Sequence, residues 1–161
     1  MAETILQKIV ERGHYKFVDR VDSWQDAVRL SCESLAETGF VSPDYYKQIV
    51  DCIEKYGPYI VFEHNIAMPH TQENADGALG TGVGFMASKK LIDFGVDEDG
   101  EQKIARLFFT LAAKDPNEHL DNMQQLMQIF TNEPLLDALM AADTPEDILK
   151  AEADYPPEDD F

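Results

Sequence analysis

The chain has 161 residues, 44% of them hydrophobic, and 31 acidic against 13 basic residues give a formal net charge of −18. That length supports one substantial core and is short for two. The charge disfavours nucleic acid and anionic membrane surfaces, which are gripped by clustered Lys and Arg, and no apolar run approaches the roughly 20 residues that cross a bilayer.

Taken in chain order, Ile5, Leu6, Ile9 and Val10 predict a short helix that ends near Gly13. The first residues lack the basic-then-apolar pattern of a secretory signal, so the chain is expected to stay in the cytoplasm. Phe17, Val18 and Val21 read as a strand by period two. Ser23 is a good N-cap for a helix with the stripe Trp24, Ala27, Val28, Cys32 and Leu35, closed by Gly39. Ser42-Pro43 repeats the signal as N-cap and first helical residue, with Tyr46, Ile49, Val50 and Ile53 inward and Gly57-Pro58 as the stop. Cys32 and Cys52 fall inside these two helices on no metal-like spacing and read as small, buried, reduced hydrophobes.

A strand is expected over Tyr59 to Phe62, a strand-like segment up to Met68, and a surface loop from Thr71 to Gly80. Strands follow over Gly82 to Ala87 and Ala105 to Ala113, with Asp97-Glu98-Asp99-Gly100 as the turn between them. The second is apolar on both faces, as suits a central strand covered by helices on each side. Asp115-Pro116-Asn117-Glu118 opens a helix whose buried face is expected at Leu120, Met123, Leu126, Met127 and Phe130. Asn132 with Pro134, and Thr144 with Pro145, start two more. The pattern predicts an α/β fold, a three-layer helix/sheet/helix sandwich formed by residues 1–150 as a single domain. Residues 151–161, with Glu152, Asp154, Glu158, Asp159 and Asp160, read as an acidic, disordered tail. Periodicity alone leaves the strand order open.

The most informative stretch is Asn65-Ile66-Ala67-Met68-Pro69-His70. Pro69 fixes its own φ and pushes Met68 towards an extended conformation, so a buried strand breaks into a turn that presents His70. An imidazole titrates near neutrality, which makes His70 a candidate nucleophile without special activation. His119 falls in the first turn of the helix after Asp115, where free N–H groups and the helix dipole favour an anion. His64, six residues before His70, reads as a loop or strand-end histidine, or as a residue that orients His70. The spacing of His64, His70 and His119 matches no compact metal motif, and neither metal nor cofactor is implied.

The run from Asn65 to His70 resembles the phosphorylation-site motif of the mannitol/fructose-type IIA components of the bacterial sugar phosphotransferase system (PTS). The order of Ser23-Trp24-Gln25-Asp26-Ala27-Val28, Tyr45-Tyr46, Gly57-Pro58-Tyr59, the His70 motif and Asn117-Glu118-His119 resembles the ascorbate-type branch. The likeness covers roughly residues 5 to 150, more than a short motif supplies. It implies a mixed β-sheet and a phosphocarrier: His70 accepts a phosphoryl group from phospho-HPr and passes it to a cysteine of a cognate IIB protein, the membrane IIC component being served indirectly. It places a second histidine at the mouth of the site, matched by His119, and implies that L-ascorbate is the transported substrate. The Thr71 hydroxyl is a further candidate donor to the phosphoryl group. Gln72 stands where members of the branch often carry an arginine, so the local cation is missing here. A regulatory domain that signals phosphorylation state by binding a target is the alternative reading.

Overall fold

The computed structural model describes residues 4–70 and 77–156. Capping chemistry sets most helix boundaries. Thr4 opens α1 (Ile5–Arg12) with a capping box completed by Gln7, and Gly13, at φ 75°, closes it in the left-handed region that costs an L side chain most. Ser23 accepts from the Asp26 amide and starts α2 (Trp24–Glu37). Helix α3 (Tyr45–Tyr56) departs from expectation: Ser42 is not its cap. The Ser42 amide is bonded to the Gly77 carbonyl and its own carbonyl accepts from Tyr45, so a turn delays the helix start. Tyr45, not Tyr46, is its fully buried tyrosine, because the Tyr45 hydroxyl donates to the Leu111 carbonyl across the core.

Strands β1 (Tyr15–Val18), β2 (Val61–Phe62), β3 (Ile66–Ala67), β4 (Gly82–Val96) and β5 (Gln102–Ala112) form one sheet in the order β1-β4-β5-β3-β2. β1 pairs with β4, and β3 with β5, in parallel; β4/β5 and β2/β3 are antiparallel. The sheet is therefore mixed, as the family likeness implied. The β4/β5 hairpin is much longer than periodicity suggested. A register shift after Ala87, at the segment holding Lys89 and Lys90, breaks the alternation before Ile92 and Phe94 turn inward again. The expected turn closes it: the Asp97 carboxylate accepts from the amides of Asp99 and Glu101, and Gly100 takes φ 82°.

Strand β5 is buried on both faces. Leu107, Phe109 and Leu111 join the core under α1, α4 (Pro116–Phe130), α5 (Glu133–Met140) and α6 (Pro145–Asp154), while Phe108 and Ala112 join the core under α2 and α3. The α/β sandwich of helix, sheet and helix follows directly. Each fully buried Phe or Leu of this kind contributes about 1.5–3 kcal/mol of transfer free energy.

Three expectations need correction. Helix α4 is rotated about its axis: Asn122, Leu126 and Ile129 face the core, and Leu120 and Met127 are 59% and 43% exposed. A buried asparagine broke the apolar pattern from which the face was read. Cys32 is buried but Cys52 only partly so. The supposed tail begins as helix, since α6 runs through Asp154 with Ala151 and Glu152 buried. There the Thr4 hydroxyl donates to Glu152 Oε1 at 2.9 Å, and burial raises the Glu152 pKa against that bond. Residues 157–161, like 71–76 of the expected loop, lie outside the described residues.

His14, which the sequence left without a role, is 1% exposed, bonded through Nε2 to the Thr38 hydroxyl at 2.8 Å and set edge-on to Phe40. Burial, helped by the nearby Arg12 cation, lowers its pKa from 6.5 to about 4. An imidazole neutral in the folded chain but free to protonate in the unfolded one makes the unfolded state the better proton binder. Its contribution to stability is thus complete above pH 6.5 and is lost as pH falls towards 4. Thermal unfolding across that interval should show His14→Gln losing less stability on acidification than the parent; equal losses would place the titration elsewhere.

Candidate functional site

Because β3 and β5 run parallel, their carboxyl ends open on the same edge of the sheet. His70 follows the first and His119 the second, which is why residues far apart in sequence meet, and such an edge is where α/β sheets place their sites. The chain leading to His70 is bonded on both sides. The Asn65 carbonyl accepts from the amides of Arg106 and Leu107, the Met68 amide donates to the Ile60 carbonyl at 2.8 Å, and the Leu111 amide donates to the Pro69 carbonyl at 2.9 Å. Pro69 has no N–H, so on the β5 side it contributes its carbonyl alone.

His70 is half-buried, and its Nδ1 lies 2.5 Å from the Met68 carbonyl oxygen. A carbonyl only accepts, so Nδ1 carries the proton and Nε2 is left with the lone pair. Tyr59 completes the setting: its ring stands edge-on to the imidazole, centroids 5.1 Å apart at 90°, and its hydroxyl donates to the His70 carbonyl. Burial is the largest influence on the His70 pKa and lowers it; the Met68 carbonyl opposes this and the charge of His119 adds to it. The net effect keeps the ring neutral below the ordinary histidine range, as a nucleophile requires.

His119 lies in the first turn of α4, its amide bonded to the Asp115 carbonyl at 3.0 Å. Its Nδ1 is buried and has no hydrogen-bond partner among the described residues. The backbone donors of this turn are mostly occupied. The Thr81 hydroxyl accepts from the amides of Lys114 and Asp115 at 2.9 and 2.7 Å, the Asp115 carboxylate accepts from Glu118, and Pro116 has no N–H. Of the four orphan positions at this helix start, that leaves the Asn117 amide without an acceptor among the described residues.

His64 is separated from His70 by the whole of β3. It sits with Asn65 in the β2/β3 turn, both at positive φ (64° and 63°), and its Nδ1 faces Glu133 Oε1 at 3.3 Å. The orienting acceptor for His70 is the Met68 carbonyl, so the expected orienting role of His64 is not supported. Thr71 and Gln72 lie outside the described residues. Sequence reasoning missed Tyr59 and Thr81 as site residues. The one is placed by cross-strand register and the other by the approach of the β4 start to the β5–α4 connection, neither of which leaves a local signal.

The coupling between the two rings is testable. Replacing His119 with Gln removes one cause that lowers the His70 pKa, so the His70 midpoint in an NMR titration should move upward while remaining controlled by burial. An unmoved midpoint would show that the two imidazoles do not sense each other.

Comparison with known proteins identifies the family. The family model for the phosphoenolpyruvate-dependent sugar phosphotransferase system, EIIA 2, matches residues 8–152. The ascorbate-specific PTS system EIIA component of Shigella boydii is 30% identical over 142 residues, which span 88% of this chain and 90% of that protein. The crystal structure of IIA mannitol from Escherichia coli superposes with a TM-score of 0.69 at 30% identity, covering 86% of this chain and 96% of its own. Enzyme IIAMTL from Escherichia coli, solved in complex with phosphorylated enzyme IIBMTL, gives a TM-score of 0.69 at 28% identity over 86% of this chain and 94% of that one. With a family model spanning nearly its whole length and a curated relative at this identity, the chain belongs to the EIIA 2 family of the sugar phosphotransferase system.

Proposed function

We propose that the protein is a cytoplasmic phosphocarrier: His70 Nε2 takes a phosphoryl group from phospho-HPr and delivers it to the cysteine of a cognate IIB protein, in support of a membrane IIC component that imports a sugar or sugar acid. The observation that carries this reading is the Nδ1 bond to the Met68 carbonyl, which leaves Nε2 as the nitrogen with a free lone pair. In the first transfer the N–P bond of the donor breaks as the His70 N–P bond forms; in the second, that bond breaks as a P–S bond forms. Such a transfer passes through a loose transition state and asks the protein chiefly for in-line positioning and donors around the equatorial oxygens. His119, the Asn117 amide, Thr71 and Gln72 are the groups assigned that task.

L-ascorbate is the proposed transported substrate, on the strength of relatives named as ascorbate-specific. Partner docking is supported by the rotation of α4, which leaves Leu120, next to His119, and Met127 two turns on, facing solvent. Phe62 on the edge strand β2 is also 40% exposed. Apolar side chains of this kind let a partner exclude water from the transfer without a large charged contact. A chain this acidic also repels free phosphate esters, which favours delivery of the phosphoryl group by a protein.

Incubation with enzyme I, HPr and phosphoenolpyruvate should add one acid-labile phosphoryl group, on His70, that passes to the cognate IIB protein. His70→Ala should abolish the modification and leave the melting temperature within a few degrees, because the half-buried turn position is held mainly by backbone bonds. Full phosphorylation of that variant would remove His70 from the reaction.

A further inference from the structure

Tyr59 makes two contacts with one residue, and neither is needed to fill the core. Its ring closes one side of the His70 imidazole, edge to face, and its hydroxyl donates to the His70 main-chain carbonyl. The reason for the second contact is the gap left by Pro58. The antiparallel β2/β3 register pairs Val61 with Ala67 and extends through the Met68 amide and the Ile60 carbonyl. One step further brings Tyr59 opposite Pro69, whose carbonyl faces β5 and accepts from Leu111, and the next ladder bond, to the His70 carbonyl, would fall to residue 58, a proline with no N–H. The phenol reaches past this position and makes the next bond from the side chain. Gly57, at φ 82° behind α3, turns the chain so that Tyr59 enters from this direction.

We propose that Tyr59 is a positioning residue for His70, holding the backbone at the site and walling the imidazole into the rotamer in which Nδ1–H points at the Met68 carbonyl and Nε2 at the incoming phosphorus. The inference rests on the phosphocarrier reading. It goes beyond it by assigning the Nε2 geometry to a side chain that touches neither donor nor acceptor. Burial raises the phenol pKa well above its ordinary value, with Cys52 beside it adding to the effect, so the hydroxyl stays a donor at every working pH. The ring and the hydroxyl have separable tasks. The hydroxyl fixes the main chain, and the ring bars the imidazole from swinging away from its acceptor once a charged phosphoryl group is attached.

Tyr59→Phe and Tyr59→Leu test the two tasks, with three readouts: single-turnover transfer from phospho-HPr, affinity for HPr, and the His70 tautomer by long-range 15N NMR of the unphosphorylated protein. Tyr59→Phe should bind HPr as the parent does and transfer about tenfold more slowly, a barrier increase of about 1.4 kcal/mol. Its His70 spectrum should move from a single Nδ1–H tautomer towards a mixture. Tyr59→Leu should be slower still. A merely structural tyrosine would lower stability and active fraction without moving the tautomer, and Tyr59→Phe with parental rate and a pure Nδ1–H signal would overturn the assignment. Failure of the parent itself to accept a phosphoryl group would sink the phosphocarrier reading and this role with it. That outcome is separately recognisable, because the tautomer comparison is made without phosphorylation.

Discussion

The parallel register between β3 and β5 is the constraint on which the site depends. Strand β3 is only two residues long and could not hold itself to a sheet by its own ladder. It is held because β5 presents an apolar, two-faced surface along its length and because main-chain bonds at Asn65 and Pro69 bracket the short pairing from both ends. Running parallel, the two strands deliver a turn and a helix start to one edge. An antiparallel arrangement of the same segments would have sent His70 and His119 to opposite ends of the molecule.

Electrostatically, the site solves a problem set by the rest of the chain. A protein with net charge −18 is a poor host for any anion, and the arginine that members of the branch it resembles often carry two places after the histidine is absent. Burial of His70 lowers its affinity for protons and so keeps a lone pair available, while the Met68 carbonyl selects which nitrogen has it. The positive element on offer is the start of α4, where Thr81 takes two of the amides to fix the connection and His119 adds an imidazole. Donors are thus few and fixed, which is what electrostatic preorganisation calls for.

What could be read from the sequence was local chemistry. Ser23, Asp115, Asn132 and Thr144 cap helices because a short polar side chain next to orphan amides acts without help from the rest of the fold. Pro69 made His70 legible in the same way, by stiffening the two bonds before it. The misreadings came from long-range compensation. Asn122 occupies a core position on α4, and so the apolar pattern placed Leu120 and Met127 inward along with Met123, Leu126 and Phe130, which do pack against the core. Lys89 and Lys90 interrupt β4 at its register shift, and so a fifteen-residue strand read as six. His64 is near His70 in sequence yet lies beyond β3, and Tyr59 meets His70 through a cross-strand relation that no single-sequence period encodes.

The bond between Thr4 and Glu152 closes the polypeptide on itself. The cap of the first helix and the last turns of α6 share one hydrogen bond, so the start of α1 and the end of α6 occupy the same corner of the molecule. A polypeptide of this shape is a cassette: it can be spliced into a larger chain by a single paired opening, or have its ends joined and be cut elsewhere, without stretching either terminal helix. Tethered through one end or the other, it would hang from the same point and sweep the same volume, so the local concentration it presents to a tethered partner would depend on linker length and hardly at all on which end carries the linker.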